Sequence, residues 1–237
     1  MKQKIIAAIG DIHGRSEWQS ILQKGYDNVI FIGDYFDTHE NIHGDEQLTN
    51  FIEILHYREV DSSIELLLGN HDFQYLRGIK ERYTGFQPDY YPQIQEVLHS
   101  ALDKKYLKVC HQEGNIIFSH AGITTTWAEV LHDPPDLAMA MNQLFETKPE
   151  AFGFTPCAKD KYSENVDPRG DEICQSPLWV RPGSLLRDKL KGYRQVVGHT
   201  PQSKLRIEDG IAFIDCLATS GEYLILSDGD FQVGILT

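Results

Sequence analysis

Residues 5–14, IIAAIGDIHG, decide the fold, because in them an apolar run ends abruptly in a small, polar cluster. The run Ile5–Ile9 is short, rich in β-branched residues and bounded by glycine, so it predicts a buried strand. The cluster after it holds Asp11 and His13, and residues i and i+2 of an extended chain point to the same side. The carboxylate and the imidazole could therefore hold one cation, although a capped turn would explain the same pair.

The same arrangement recurs at four later points of the chain. Each time a short apolar run of the strand type stops at a small, polar cluster. The clusters are GDYFD at 33–37, GNHD at 69–72, SHAG at 119–122 and GHT at 198–200. Polar side chains placed repeatedly at strand ends are where α/β folds build their sites.

Six side chains from these clusters have the chemistry of metal ligands. They are Asp11, His13, Asp34, Asn70, His120 and His199. Imidazole nitrogens mixed with oxygen ligands suit Zn, Mn or Fe, and a carboxylate at Asp34 could bridge two ions. One Asp-x-His pair alone would be weak evidence, but six candidate ligands at the ends of several strands indicate a metal centre.

Helical patterns separate the early strands, whereas the tail has a different pattern. The predicted helices cover residues 16–24, 48–60, 92–102 and 136–145. Strand–helix alternation through residue 69 implies parallel crossovers. Over residues 204–236, the pairs Asp209-Gly210, Ser220-Gly221 and Asp228-Gly229 separate short apolar runs and are hairpin signals. The sequence therefore predicts an α/β fold that ends in an antiparallel meander.

Size and composition favour one soluble, acidic domain. The chain has 237 residues, a formal net charge of −13, 41% apolar and 24% charged residues, which are ordinary values for a globular protein. We expect a single domain over residues 1–237. Five of the ten prolines fall in residues 148–183, which predicts a functional loop or lid, with a surface insertion as the alternative. An acidic surface repels phosphate backbones, so general nucleic-acid binding is not expected.

Hydropathy and cysteine usage bear on location. No apolar run approaches the roughly 20 residues of a membrane span, and the run before Gly10 is too short for a secretory signal. The four cysteines lie far apart and form no CxxC pair. We therefore expect reduced thiols and a cytoplasmic protein with no membrane partner; a disulfide between Cys157 and Cys174 is the alternative.

The ordered series GDIHG, GDYFD, GNHD, SHAG and GHT resembles the calcineurin-like metallophosphoesterase superfamily, and the five blocks cover residues 10–200. The single histidine of GHT, in place of the GHxH of many members, resembles the phosphoprotein phosphatase branch. That branch includes bacterial Ser/Thr phosphatases and symmetrical dinucleoside tetraphosphate hydrolases. The resemblance implies a four-layer αββα fold in which two packed mixed β-sheets are flanked by helices.

The resemblance also implies a dinuclear centre. Asp11, His13 and Asp34 would hold the first metal, and Asp34 would bridge to a second metal. The ligands of the second metal would be Asp34, Asn70, His120 and His199. Two divalent cations, with Mn, Fe and Zn as the candidates, lower the pKa of a bridging water, and the resulting hydroxide would attack phosphorus in line.

Two further residues match the family's proton-transfer pair. His71, next to Asn70, would be the general acid that protonates the leaving group. Asp37 would orient His71 and favour its charged form. Asn70 is also expected to contact the substrate phosphate. A structural histidine and a turn cap are the alternatives for His71 and Asp37.

The phosphate clamp departs from the family pattern. Protein phosphatases of this branch read GDxxDRG, but the arginine after Asp37 is missing here. A guanidinium is still expected, because it makes bidentate contacts to a phosphate. The segment PLWVRP at 177–182 resembles the one that carries a phosphate-binding arginine in bacterial members, so Arg181 is the candidate. Arg15 and Arg77 are weaker candidates.

The sequence thus predicts a metal-dependent phosphatase that hydrolyses a phosphomonoester. Its substrate would be a phosphorylated small molecule, a nucleotide or a phosphoprotein. One alternative is hydrolysis of the pyrophosphate-type bond of a dinucleoside polyphosphate. Another, of a different class, is a catalytically silent metal-binding scaffold, which the presence of His71 and Asp37 argues against.

Overall fold

The backbone forms two mixed β-sheets, as described by a computed structural model for residues 4–38, 40–154 and 169–236. The strands are β1 (Ile5–Ile9), β2 (Asn28–Phe31), β3 (Ile64–Leu67), β4 (Leu107–Lys108), β5 (Cys110–Glu113), β6 (Ile116–Ser119), β7 (Arg194–Val197), β8 (Arg206–Glu208), β9 (Ile211–Phe213), β10 (Glu222–Ser227) and β11 (Asp230–Ile235). The helices are α1 (Trp18–Leu22), α2 (Gly44–Val60), α3 (Asn70–Phe73), α4 (Tyr91–Asp103), α5 (Thr125–Ala128), α6 (Leu137–Thr147), α7 (Pro182–Arg187) and α8 (Leu217–Ser220).

The first sheet has the order β11-β10-β1-β2-β3-β4, and the second has the order β5-β6-β7-β9-β8. Strands β1 to β4 run parallel, which confirms the predicted crossovers, while β10 pairs antiparallel with β1 and with β11. In the second sheet, β6, β7 and β9 run parallel and the outer strands pair antiparallel. Both sheets are therefore mixed, as expected.

The alternation of β1 explains the layers. Ile6 and Ala8 pack in a core with Phe118 and Val196 of the second sheet, whereas Ala7 and Ile9 pack in another core under the helices. Successive side chains of a strand point to opposite faces, so the first sheet is covered by helices on one face and by the second sheet on the other. A third core beyond the second sheet includes residues of α7. The helix–sheet–sheet–helix layering agrees with the predicted fold class.

The predicted C-terminal meander is wrong, because the tail is divided between the two sheets. The β8–β9 hairpin joins the second sheet through β7, and the β10–β11 hairpin joins the first sheet through β1. The pair Ser220-Gly221 is not a hairpin turn: Ser220 ends α8, and Gly221 follows it with a φ of 66°, the left-handed geometry of a helix C-terminus.

Residues 155–168, the middle of the predicted loop or lid, lie outside the described part of the chain. Its described flanks are packed in part: Phe152, Leu178 and Val180 are buried, whereas Lys148 and Glu150 are exposed. Among the cysteines, Cys110 and Cys216 are free and buried, but Cys174 is disulfide-bonded. The expectation of reduced thiols is therefore wrong for Cys174, while Cys157 lies outside the described residues.

Within the described ranges, no helix has the length and apolar character needed to cross a membrane.

Candidate active site and metal centre

The strand-end clusters converge through an unusual backbone. Residues His13, Asp34, Asp37 and His199 all have positive φ, between 45° and 65°. Non-glycine residues seldom adopt this region, and such strain concentrates at functional sites. The loops after β1 and β2 are joined directly, since the amides of Ile12 and His13 both donate to the carbonyl of Asp34, at 3.0 and 2.7 Å.

Two glycines leave room for the carboxylates. A Cβ added to Gly69 would lie 2.1 Å from Oδ1 of Asp34, and one added to Gly198 would lie 2.0 Å from Oδ1 of Asp11. Real Cβ atoms do not approach this closely. The glycines of GNHD and GHT are therefore required so that neighbouring loops can approach the two carboxylates.

Asp72 fixes the loop that carries Asp34. This fully buried carboxylate accepts hydrogen bonds from the amides of Asp34 and Gly69, both at 2.9 Å, and from that of Tyr35, at 2.8 Å. Asp72 belongs to the GNHD cluster, but the cluster alone does not indicate this role. The bonds tie the ends of β2 and β3 together and set the direction of the Asp34 side chain.

The first candidate ligand group consists of Asp11, His13 and Asp34, whose ligand atoms lie within 4.8 Å of one another. The Nδ1–H of His13 donates to the carbonyl of Phe36 at 2.8 Å, and its Nε2 lies 3.9 Å from Oδ2 of Asp34. Burial lowers the pKa of His13 despite the nearby Asp34. The imidazole is thus held neutral, with a free nitrogen directed at a carboxylate.

The second group consists of Asp34, His120 and His199, also within 4.8 Å. The Nδ1–H of His120 donates to the carbonyl of Ile32 at 3.0 Å, which leaves its Nε2 at 3.3 Å from Oδ2 of Asp34 and 2.9 Å from Oδ1 of Asn70. In His199 the roles of the nitrogens are exchanged. Its Nε2–H donates to the carbonyl of Trp179 at 3.1 Å, and its Nδ1 lies 2.9 Å from Oδ1 of Asn70.

This donor set fits divalent cations. Each of the three histidines has its outer nitrogen on a backbone carbonyl, the arrangement that fixes the tautomer of metal-binding histidines. Asp34 belongs to both groups, so its carboxylate could be shared. Nitrogen and oxygen donors together suit the divalent cations of Zn, Mn and Fe. The structure brings the six predicted ligands together. Asn70 joins the second group through the contacts of its Oδ1 with His120 and His199.

The charges of the site are unbalanced without a cation. Burial opposes ionisation of Asp34, but His120 and His71 outweigh it and hold the pKa of Asp34 far below its ordinary value. Burial also lowers the pKa of His120, yet Asp34 and Asp11 raise it to about 9. Burial and the neighbouring Asp215 raise the pKa of Asp11. In the metal-free centre, the proton on His120 offsets the negative charge of the neighbouring carboxylates. A bound cation would offset that negative charge instead.

His71 and Asp37 form a pair beside these ligands. The Nδ1–H of His71 donates to Oδ2 of Asp37 at 3.2 Å, and the rings of His71 and His13 lie 5.4 Å apart. Burial lowers the pKa of His71, but Asp34 and Asp37 outweigh it and raise the pKa to about 9. In the metal-free protein the imidazole is therefore protonated at neutral pH, as a proton donor requires.

A polar network holds the buried Asp37 carboxylate. The hydroxyl of Tyr75 donates to Oδ1 at 2.5 Å, and the side-chain Nε2 of Gln87 donates to the same oxygen at 3.1 Å. The side-chain Nε2 of Gln74 donates to Oδ2. These donors lie on the segment after α3, and sequence analysis did not anticipate them. They leave Asp37 one orientation, with Oδ2 directed at His71.

A cavity of about 490 Å³ opens beside the pair. Asn70, His71 and His199 contribute to its lining. Trp179, Tyr83, Arg181 and Arg82 line it as well. The predicted Arg181 therefore lies at the site, and Trp179 has a buried Nε1–H for which the described residues offer no acceptor.

The other arginine candidates have different surroundings. Arg15 lies at the edge of the first group, where it bonds to the carbonyl of Asp11 and pairs with Glu40 at 2.7 Å. Arg77 lines a separate cavity with His99 and Phe145. It is therefore not supported as a phosphate-binding residue of this site.

Asp215 was missed by sequence analysis. It directly follows the apolar run that ends at Ile214, and its backbone lies against Gly10, where an added Cβ would be 3.1 Å from the Cα of Asp215. Burial and the charge of Asp34 raise the pKa of Asp215 to about 6. The same strand-end pattern that identified the other clusters could have identified this carboxylate.

Two packed mixed sheets with paired nitrogen and oxygen ligand groups at their strand ends fit a metal-dependent phosphoesterase. The sequence model of calcineurin-like phosphoesterases matches residues 5–203. The chain belongs to this family, as its motifs predicted. No curated protein sequence matches it.

Solved structures share the fold at low sequence identity. A cold-active protein-tyrosine phosphatase of a psychrophile, Shewanella sp., is 18% identical, with a TM-score of 0.58 over 98% of this chain and 78% of that one. A protein serine/threonine phosphatase from Saccharomyces cerevisiae, with similarity to human phosphatase PP5, is 13% identical, with a TM-score of 0.55 over 99% of this chain and 80% of that one. Both likenesses concern the fold.

Proposed function

We propose that the protein is a dimetal phosphatase that hydrolyses phosphomonoesters. The observation that carries this proposal is the orientation of three histidines, the half-buried His13 and the buried His120 and His199, each held by a backbone carbonyl with its other nitrogen facing Asp34 or Asn70. The protonated His71 lines the cavity beside them. A silent scaffold has no need of this proton donor.

Two divalent cations bound to the two groups would supply a hydroxide nucleophile at neutral pH and offset phosphate charge. The chain's own residues would do the rest. Asn70 and Arg181 both line the cavity and would contact the phosphate. The Nδ1–H of His71 stays hydrogen-bonded to Asp37, and the Nε2–H donates its proton to the leaving oxygen. Asp37 keeps the imidazole in this orientation and charge state.

The test is hydrolysis of p-nitrophenyl phosphate by the protein loaded with Mn²⁺. Asp34→Asn removes a charge shared by both ligand groups, and His71→Ala removes the proton donor, so both variants should lose at least a hundredfold in kcat. His43→Ala is the matched control, because the side chain of His43 is 69% exposed and pairs with Asp45 away from the ligand groups. It should retain wild-type activity.

A substrate panel separates the alternatives. It contains phosphoserine, phosphothreonine and phosphotyrosine peptides, nucleotides, diadenosine tetraphosphate and bis-p-nitrophenyl phosphate. Hydrolysis of monoesters supports the proposal. Hydrolysis of diadenosine tetraphosphate alone identifies a pyrophosphate-bond hydrolase, and activity on diesters alone contradicts the proposal. If the metal-loaded wild type is as inert as both variants on the whole panel, the protein is a scaffold.

A further inference from the structure

The cavity beside His71 contains a second arginine that no sequence motif identified. Thr38 stands after Asp37 where the related protein phosphatases have arginine, so the usual second guanidinium is absent from that loop. Arg82 and Arg181 both line the cavity that also contains Asn70. A phosphate dianion placed there would therefore meet guanidinium groups from two different segments.

The guanidinium of Arg82 is held in place from one end. Its Nη1 donates to the carbonyls of Gln74, Ile79 and Glu81, at 2.7, 2.9 and 2.6 Å. Its Cζ lies 4.7 Å from the ring centroid of Phe86 and 5.2 Å from that of Tyr91. These contacts orient a side chain that would otherwise lose several free rotations on binding a ligand.

The other end of the guanidinium is available. Every hydrogen bond of Arg82 to the described residues goes through Nη1, and none of their carboxylates pairs with it. Nε and Nη2 form the planar edge that binds phosphate in a bidentate manner. Arg181, by contrast, uses Nε on the carbonyl of Arg169 and Nη1 on His199 and Thr200.

Gln74 connects Arg82 to the proton-transfer pair. Its carbonyl accepts from Arg82, its Oε1 accepts from the amide of Tyr83 at 2.7 Å, and its Nε2 donates to Asp37. One residue therefore positions both the arginine and the carboxylate that orients His71. A phosphate bound by Arg82 would lie at a fixed place relative to the proton donor.

We propose that Arg82 is a substrate-binding residue that contacts the phosphate and replaces the arginine absent after Asp37. This inference rests on the proposed function and adds a specific residue to it. Arg82 is expected to bind phosphate equally in substrate and product. Its loss should therefore raise KM and the inhibition constant of inorganic phosphate together and should change kcat little.

The test compares Arg82→Gln, Arg82→Lys and Arg77→Gln in the metal-loaded protein. Glutamine keeps an amide donor for the backbone carbonyls but removes the charge, lysine keeps the charge, and Arg77 belongs to the other cavity. We expect Arg82→Gln to raise KM for p-nitrophenyl phosphate and the inhibition constant of phosphate by about 10- to 100-fold, the loss of one charge-assisted hydrogen bond. Arg82→Lys should recover part of the loss, and Arg77→Gln should match the wild type.

Calorimetric titration with inorganic phosphate gives a second readout that does not depend on turnover. An Arg82→Gln protein with wild-type KM and wild-type phosphate affinity overturns the inference while leaving the phosphatase proposal intact. A fall in kcat and in thermal stability at unchanged phosphate affinity also overturns it, because Arg82 would then only stabilise its loop. An inert wild type that still loses phosphate affinity on Arg82→Gln would contradict the proposed function alone.

Discussion

Replacement of Asp37 by asparagine tests the proton-transfer pair most directly. The side chain keeps its size, but the negative charge 3.2 Å from Nδ1 of His71 disappears. That charge is one of the causes that raise the pKa of His71 to about 9 against burial. Without it, the protonated imidazole is buried with less compensation, so the pKa of His71 should fall.

The size of the fall follows from the hydrogen bond that is lost. A bond to a charged group contributes about 1.5–3 kcal/mol, and one pKa unit corresponds to about 1.4 kcal/mol. The pKa of His71 should therefore fall by about 1–2 units. Because the protonated form is the active one, activity is lost as pH rises through this pKa. The alkaline limb of the kcat–pH profile should move to lower pH by the same amount.

The assay is the pH dependence of kcat for p-nitrophenyl phosphate with saturating Mn²⁺. Asp45→Asn is the matched control, because Asp45 pairs with His43 in an Asp–His contact whose side chains are both 69% exposed. Its profile should coincide with that of the wild type. An unshifted alkaline limb in an active Asp37→Asn protein would refute the assignment of His71 as the donor oriented by Asp37.

The same pair has a consequence for stability. The folded pKa of His71 lies above the ordinary value of 6.5, so its stabilising contribution is complete below pH 6.5 and is lost as pH rises to about 9. The stability difference between the metal-free wild type and Asp37→Asn should therefore be larger at pH 6 than at pH 9.5. Urea unfolding at the two pH values measures it; an equal difference at both would contradict the coupling.

Three further predictions concern the metal centre. Gly69→Ala should abolish tight Mn²⁺ binding, because the new Cβ would lie 2.1 Å from Oδ1 of Asp34; calorimetric affinity equal to wild type would contradict this. Asp72→Asn replaces one acceptor oxygen by an N–H₂ group, which leaves at least one of three backbone N–H donors without an acceptor. The substitution should lower the free energy of unfolding, measured in urea, by about 1–3 kcal/mol. Acid should release the metal, because His120 must lose its proton to act as a ligand. The affinity for Mn²⁺ should therefore decrease as the pH is lowered from 8 to 6 in calorimetric titrations. A pH-independent affinity would exclude His120 as a ligand.

The sequence predicted the features that are local. An apolar run that stops at a polar cluster specifies both a strand and its polar end, so β1, β2, β3, β6 and β7 and the candidate ligands after them could be located without a structure. The family motifs then supplied roles for His71 and Asp37. Each cluster is a short local pattern, although the resemblance to the family needs all five clusters in order across residues 10–200.

The wrong meander concerns strand pairing over long distances in the chain, whereas the placement of Arg82 concerns a loop that carries no motif. Whether β9 and β10 join one sheet or two depends on competition among strands from both ends of the chain, and a local turn signal at Ser220-Gly221 does not decide it. Arg82 reaches the cavity only because Gln74 and two aromatic rings hold its loop. A lone arginine between Glu81 and Tyr83 gives no sign of this placement.

The second ligand group spans the boundary between the sheets. Asp34 follows a strand of the first sheet, whereas His120 and His199 follow strands of the second. A cation held there would act as a removable cross-link between the two halves of the sandwich, and neither sheet alone could form it. At a concentration one hundred times its Kd, such a ligand adds about 2.7 kcal/mol to stability. Metal supply would then set how long the folded protein lasts as well as whether it is active.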